Sequence, residues 1–199
     1  MGNELHETDE NTGTMEVLER HQFDVSKLQD FMYENVDGFE GDIKLEEFKG
    51  GQSNPTYKVI TPNQSYVLRR KPPGKLLKSA HAVDREYKVI TGLNKTDVPV
   101  PKSYALCEDD DVIGTAFYLM EFKDGRVLWD AAMESSDKEE ASGVYESMND
   151  SMAKLHLVNP SEIGLEDFGK PGNYVGRQVS RWSKPVSYTH LRAHETSCD

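Results

Sequence analysis

The architecture of this chain follows most directly from the segment Phe48-Lys49-Gly50-Gly51-Gln52-Ser53-Asn54-Pro55-Thr56-Tyr57-Lys58-Val59-Ile60, which a Pro62-Asn63 turn joins to Tyr66-Val67-Leu68-Arg69. Its pattern predicts a strand, a glycine loop, a second strand, a turn and a third strand that ends in a cation. Glycines let a backbone approach phosphate oxygens closely, and a nearby cation supplies charge from one side. The segment therefore predicts a site for a phosphate-rich ligand such as a nucleotide.

Composition narrows the class of protein. The chain has 199 residues and a net charge of −12, which argues against general binding of nucleic acid. Only 36% of the residues are apolar, which predicts disordered segments or an incomplete domain. Cys107 and Cys198 form neither a disulfide framework nor a metal-ligand spacing, so we expect a reduced, intracellular protein, cytoplasmic by default. Residues 1–22 are typical of a disordered acidic tail, and no apolar run is long enough to make a membrane a partner.

The helix that follows the third strand is predicted over Ala80 to Asn94 and carries an unusual carboxylate. Its apolar arc contains Val83, Tyr87, Ile90 and Leu93. Glu86 falls inside that arc, and a carboxylate that faces the core is costly unless it is paired. We expect Arg69 to be its partner. On helical geometry alone, the alternative that Glu86 reaches water at the edge of the arc stays open.

Flanking elements complete the expected organisation. The first predicted helix is capped by Asp24 and has Val25, Leu28, Met32 and Val36 on one side. Strands are predicted near Ile43–Phe48, Thr56–Thr61, Ser65–Arg70, Ser103–Cys107 and Val112–Phe122. A later helix is predicted to start at a Ser136 capping box and to bury Val144, Met148, Met152 and Leu155. Asp109-Asp110-Asp111 is interpreted as a solvated turn, because calcium-loop spacing is missing. Lys123-Asp124-Gly125 is expected to separate a nucleotide-binding lobe over residues 23–125 from a helical lobe over residues 126–184.

This order of segments resembles the N-terminal lobe of the protein-kinase-like fold, and the glycine-loop strand pair resembles that of the aminoglycoside phosphotransferase-like family. Two further segments, Tyr66 to His81 and Arg177 to Trp182, are similar to the subgroup that is fused to, or stands beside, acyl-CoA dehydrogenases. The resemblance covers about residues 23 to 184. It implies an α+β fold, with an antiparallel-sheet lobe, one inward-facing helix, and the first helices of an incomplete C-terminal helical lobe.

The resemblance also implies a role for individual positions at ATP. The implied set is Gly50, Gly51, Ser53, Asn54, Arg69, Glu86, Glu121 and Phe122. The first four would lie over the phosphates, and Met120 to Lys123 would be the hinge whose backbone meets adenine. Arg69 stands where kinases usually carry a Lys, and Glu86 would orient it. The alternative is that the glycines only form a tight hairpin and that Arg69 is an exposed charge at a strand end.

The residues that would perform chemistry are absent from the sequence. Phosphoryl transfer needs a base for the acceptor hydroxyl and ligands for Mg²⁺, which the family supplies from a His-x-Asp-x-x-x-x-Asn loop and a following Asp. No such loop occurs in this chain, and Asp167-Phe168-Gly169 spells the kinase metal triplet without a catalytic loop before it. We therefore expect no catalytic or metal-binding residue here. Residues 185–199 resemble translated adaptor or vector sequence on a truncated reading frame, with a splice variant as the alternative.

The expected function of the parent protein is ATP-dependent transfer of a phosphoryl group to a hydroxyl of a small molecule, with Mg²⁺. The link to acyl-CoA dehydrogenases makes a hydroxyacyl-CoA or a hydroxy acid the expected acceptor, and leaves a mitochondrial or peroxisomal location open. This chain would retain mainly the ATP-binding lobe and would expose apolar helix faces around Val144–Leu155 and at Trp182. The alternative function is that of a catalytically inactive, pseudokinase-like binding module.

Overall fold

The computed structural model describes residues 12–49, 54–74, 81–128, 130, 132–133, 136–169 and 172–183. The helices are α1 (Val25–Asn35), α2 (Val83–Leu93), the one-turn α3 (Asp110–Ile113), α4 (Lys138–Leu157) and α5 over residues 174–183. The strands are β1 (Thr14–Met15), β2 (Lys44–Phe48), β3 (Thr56–Ile60), β4 (Ser65–Arg70), β5 (Ser103–Cys107) and β6 (Phe117–Glu121). Among these residues, no helix is long and apolar enough to cross a membrane.

The six strands form one antiparallel sheet in the order β1-β2-β3-β4-β6-β5. The β3–β4 hairpin is held in register by the pairs Thr56–Arg69 and Ile60–Ser65. Successive side chains of a strand point to opposite faces, so this register places Arg69 beside Thr56 and on the same face of the sheet. The predicted α+β architecture with an antiparallel sheet is confirmed.

The two faces of the sheet carry different helices. On one face Leu28 and Met32 of α1 pack against a cluster that includes Tyr57, Leu68 and Leu119. On the other face, Val83 of α2 packs against Ala116 and Tyr118. The Asp24 carboxylate accepts a hydrogen bond from the Ser26 N–H and caps α1 as predicted, but Val25 is exposed. A continuous core on one face leaves the α2 face free for polar side chains of the sheet.

Residues 12–22 are part of the sheet lobe, whereas the sequence predicted a disordered tail there. Thr14–Met15 pair with β2, and the Glu47 carboxylate is buried. His21 Nδ1 lies 2.7 Å from one oxygen of Glu47, and the Leu18 N–H donates to the other at 3.1 Å. A buried carboxylate is costly without such partners. The hydrogen bonds to Glu47 therefore hold residues 12–22 in place, although their sequence is typical of an acidic tail.

The predicted strand over Val112–Phe122 is wrong in its first half. Asp109 caps α3 by accepting a hydrogen bond from the Asp111 N–H, and Gly114 ends that helix at a φ of +85°. Glycine adopts this left-handed conformation without steric cost, so a strand begins only after it. The run of aspartates is thus a helix cap rather than the predicted turn.

Helix α4 begins one residue later than predicted. Its N-cap is Asp137, whose carboxylate accepts from the Glu140 N–H at 2.8 Å, and Ser136 lies outside the helix. No residue of α4 is buried, although its periodicity predicts a buried face. Three of the predicted face residues, Met148, Met152 and Leu155, are exposed, which agrees with the other expectation, that an apolar helix face around Val144–Leu155 is exposed.

The chain divides into two compact units, one ending at Asn159 and the other starting at Pro160. Helix α5 belongs to the second unit, and its Val175, Val179 and Trp182 are exposed, as the expectation for Trp182 required. The predicted limits at residues 125 and 184 stay predictions.

Candidate nucleotide site

The predicted pair of Arg69 and Glu86 is present. Arg69, on β4, donates from Nε to Glu86 Oε2 at 2.7 Å, and from Nη1 to Thr56 Oγ1 at 3.3 Å. About a third of each charged side chain remains exposed, 30% for Arg69 and 36% for Glu86. The pair is therefore held from the protein side and open to solvent on the other. An exposed part of a fixed guanidinium is what a phosphate oxygen would need.

Glu86 accepts hydrogen bonds from three different elements. Arg69 Nε and the Tyr118 hydroxyl both reach Oε2, the latter at 3.1 Å, while Asn54 Nδ2 reaches Oε1 at 3.2 Å. Burial, followed by the negative charge of Glu86, raises the pKa of Tyr118 well above its usual value. The phenol therefore stays protonated and remains a donor at neutral pH.

The structure gives the Asn54 side chain a role that the sequence did not predict. Asn54 is only 3% exposed, its Nδ2 binds Glu86, and its Oδ1 lies 2.6 Å from His81 Nδ1. Both ends of the amide are thus committed within the protein, so the side chain is not free to cover phosphates. The other loop positions predicted at the phosphates, Gly50, Gly51 and Ser53, lie outside the described residues.

A cleft of about 430 Å³ lies beside the predicted hinge. Phe48 and Phe122 line it with their rings 22° from parallel and their centroids 6.4 Å apart. Lys58 Nζ lies 4.1 Å from the centroid of Phe122, and residues 12–14, residues 123–125 and Val127 complete the lining. An aromatic cleft with two lysines, Lys58 and Lys123, in its wall suits a planar, electron-rich ring.

Of the two hinge residues in the predicted set, Phe122 lines this cleft and Glu121 does not. The Glu121 N–H donates to the Lys102 carbonyl at 2.8 Å and so is not free to meet adenine. Its carboxylate accepts from Lys123 Nζ at 2.7 Å and from the Lys102 N–H at 3.2 Å. The hydrogen bond from Lys123, and next that from Lys102, lower the pKa of Glu121. Glu121 is therefore an ion-paired strand end.

The cleft and the Arg69–Glu86 pair occupy the same face of the sheet. Thr56 contacts Arg69, and Lys58 stands two residues further along β3, where side chains return to the same face. The spacing between them along the strand is about 7 Å. One elongated ligand could therefore contact Phe122 at one end and Arg69 at the other.

Sequence reasoning missed most of the polar neighbours of Glu86. Tyr118 and Thr56 stand directly opposite Arg69 on the strands either side of it, which only the strand register shows. His81 lies at the end of the segment that resembles the dehydrogenase-associated subgroup, and that resemblance implies no role for it. A signal for Asn54 exists in hindsight, since an amide next to a glycine loop and ahead of a strand has to satisfy two ends.

The sequence profile of the Phosphotransferase enzyme family matches residues 44–195, which is more than half of the chain and runs past the limit expected at residue 184. The chain belongs to this family. The phosphotransferase fold is also that of a solved structure from Ralstonia eutropha, assigned as an aminoglycoside phosphotransferase, which is 48% identical with a TM-score of 0.73. The match covers 84% of this phosphotransferase chain and 48% of that one. The predicted family and kinase-like fold are confirmed.

Relatives with other names share the phosphotransferase segment. The chain is 46% identical over 172 residues to "Probable acyl-CoA dehydrogenase IBR3" of Arabidopsis thaliana, which covers 82% of this chain and 21% of that protein. It is 39% identical over 173 residues to human acyl-CoA dehydrogenase family member 11, which covers 85% of this chain and 22% of that protein. The chain thus spans about a fifth of the length of these curated relatives.

The family implies a divalent cation beside the nucleotide, and the described residues do not provide for one. Within the described ranges, no group of three His, Cys, Asp or Glu side chains could hold a metal ion. We therefore assign no step of the phosphotransferase reaction to a metal bound by these residues.

Proposed function

We propose that this chain is the nucleotide-binding part of an ATP-dependent phosphotransferase that acts on a hydroxyl of a small molecule. The proposal rests chiefly on one observation, the presence of the Arg69–Glu86 pair and the Phe48–Phe122 cleft on the same face of one sheet. ATP supplies the phosphoryl group when it is bound. The residues of this chain bind the base, orient the phosphates through Arg69 and exclude water from the aromatic cleft.

The acceptor in our proposal is a hydroxyacyl-CoA or a related hydroxy acid. Its support is that the relatives carry the name acyl-CoA dehydrogenase while sharing only this segment with the chain. A phosphotransferase joined to, or working with, a dehydrogenase of acyl-CoA substrates would have such hydroxyl compounds at hand. Transfer assays on a longer protein that contains this sequence, with hydroxyacyl-CoA, free hydroxy acid and aminoglycoside as parallel acceptors, test this choice.

A second function is favoured by one specific observation, the presence of Arg69 where kinases usually carry a Lys. The chain would then use a nucleotide structurally, as a pseudokinase-like binding module. Under either function we expect no transfer of phosphate from ATP to any hydroxyl by residues 1–199. Transfer by the longer protein supports the enzyme, and nucleotide binding without transfer supports the module.

Calorimetric titration of the 199-residue chain with adenosine, ADP and ATP tests nucleotide binding itself. We expect affinity to rise with the number of phosphates, and Arg69→Ala to abolish most of that rise. Arg181→Ala is the matched control, since Arg181 is an exposed arginine of α5 that does not line the cleft. Equal affinity of the unaltered chain for adenosine and ATP would contradict the proposal.

A further inference from the structure

We propose that Asn54 and His81 are positioning residues, which hold Glu86 and, through it, fix the guanidinium of Arg69 for the phosphates of a nucleotide. This inference rests on the nucleotide function proposed above. Neither side chain contacts the ligand in this arrangement. Each acts through the carboxylate of Glu86.

The geometry is a continuous chain of hydrogen bonds across four elements. His81 Nδ1 lies 2.6 Å from Asn54 Oδ1, Asn54 Nδ2 lies 3.2 Å from Glu86 Oε1, and Glu86 Oε2 lies 2.7 Å from Arg69 Nε. These hydrogen bonds link Asn54, two residues ahead of β3, and His81, two residues ahead of α2, to the first turn of α2 and to Arg69 near the end of β4. Arg69 is therefore tied to the base of the glycine loop as well as to α2.

Burial makes the Asn54 link hard to replace with water. Asn54 as a whole residue is only 3% exposed, whereas the side chains of Arg69 and Glu86 are each about a third exposed. Removing a partner from a buried amide leaves a donor or acceptor unsatisfied, which costs more than losing an exposed contact. The buried hydrogen bond from Asn54 therefore contributes more to the position of Glu86 than its length of 3.2 Å alone suggests.

The chemistry of these groups fixes which one donates and which one accepts in each hydrogen bond of the series. A carboxylate only accepts hydrogen bonds, so Asn54 must turn its NH₂ toward Glu86 and its carbonyl oxygen toward His81. His81 must then carry a proton on Nδ1. Protonation at Nε2 would leave that Nδ1–H in place, so the chain persists in both charge states of the ring.

The backbone conformation of His81 indicates that surrounding contacts hold this residue in place. His81 has a φ of +57°, which a residue with a side chain rarely adopts, and its carbonyl accepts from the Val83 N–H at 2.9 Å. Strained residues of this kind persist only where surrounding contacts hold them, and they gather at functional sites. The contact to Asn54 is such a contact.

The experiment reads Arg69 directly in the full 199-residue chain. The Arg69 Nε–Hε resonance, assigned from Arg69→Lys, is followed by NMR in Asn54→Asp and His81→Ala. Asn54→Asp keeps the shape but sets two carboxylates against each other, and the double variant Asn54→Asp with Glu86→Gln restores a donor between the two positions. The matched control is Asn94→Asp, because Asn94 also bonds through both ends of its amide, at the opposite end of α2.

We expect both single variants to move the Arg69 resonance and to weaken ATP binding by about fivefold, with adenosine affinity changed by less than about twofold. The double variant should recover most of the ATP affinity, His81→Gln should partly replace the lost donor, and Asn94→Asp should change neither readout. An unmoved Arg69 resonance would overturn the inference, and so would an equal loss of affinity for ATP and adenosine. A neutral His81 ring protonated only on Nε2 would overturn it as well. If the unaltered chain binds no ATP, the proposed function fails, while the Arg69 resonance still decides the coupling.

Discussion

Two regions of this molecule carry equally regular apolar patterns and have opposite surroundings. In the sheet, Leu68 and Leu119 are completely buried between α1 and neighbouring strands. In α4, Met148 and Met152 recur at helical spacing, yet each is 53% exposed. Periodicity therefore predicts which face of an element is apolar, while burial depends on whether other segments of chain come to cover that face.

The same contrast holds for charged groups. Glu86 in the sheet region is bonded to three elements that are distant in sequence. The ion pair within α4, Lys154 with Asp150 at 2.6 Å, joins neighbouring turns of one helix and is well exposed. Exposed pairs of this kind contribute little to stability because solvent screens them. Long-range bonds, by comparison, fix the relative positions of elements, and only those can shape a site.

The largest difference between the regions should appear on truncating an apolar side chain. Leu68→Ala removes a fully buried side chain, so we expect the free energy of unfolding to fall by about 2–5 kcal/mol. Met148→Ala on α4 should change it by less than about 0.5 kcal/mol. Urea unfolding followed by circular dichroism measures both. Similar losses for the two variants would remove the distinction between the regions.

A smaller effect is expected on binding when the carboxylate at the centre of the site is removed. Glu86→Ala leaves Arg69, Tyr118 and Asn54 without their shared acceptor, so we expect ATP affinity to fall about tenfold with adenosine affinity unchanged. Asp84→Ala is the control, as Asp84 is a half-buried carboxylate on the same turn of α2 that lies 3.9 Å from Lys71 Nζ and, within the described residues, is not a hydrogen-bond partner of Arg69. A tenfold loss in the control as well would mean that charge near α2, rather than the bonds to Arg69, determines affinity.

Sequence reasoning reached the centre of this site but not its surroundings. The pairing of Arg69 with Glu86 could be predicted, since a helical arc and a strand end each place one charge toward the other. The contacts of Tyr118 and Asn54 depend on strand register and on the path of a loop, which no local pattern specifies. The ordered structure of residues 12–22 could not be predicted for a similar reason. It depends on the buried carboxylate of Glu47, whose partner His21 is 26 residues away in sequence.

Stability at alkaline pH should reveal the burial of Tyr57 in the sheet region. Burial raises the pKa of Tyr57 to about 12 from an ordinary value of 10.0. Because the folded-state pKa lies above the unfolded one, this contribution to stability is complete below pH 10 and is lost as pH rises from about 10 through 12. We expect Tyr57→Phe to make unfolding free energy fall less steeply over that range, by up to about 1 kcal/mol per pH unit. A slope in Tyr57→Phe equal to that of the unaltered chain would contradict the assignment.

The smallest expected change in stability is the one that most directly tests α4. Met148→Lys should leave the free energy of unfolding within about 0.5 kcal/mol, because the side chain has no buried contacts to lose and lysine is a good helix former. It should nevertheless reduce the binding of a hydrophobic dye, since a cation then interrupts the exposed apolar face.

Ser147→Lys is the matched control for that variant, because it adds the same charge at an exposed position of α4 without removing apolar surface. Its dye binding should stay close to that of the unaltered chain. A loss of more than about 1 kcal/mol in Met148→Lys, absent in Ser147→Lys, would mean that Met148 is covered in solution. The apolar face of α4 would then be buried like the core of the sheet. The two regions would differ in their place in the chain and not in how far their apolar side chains are buried.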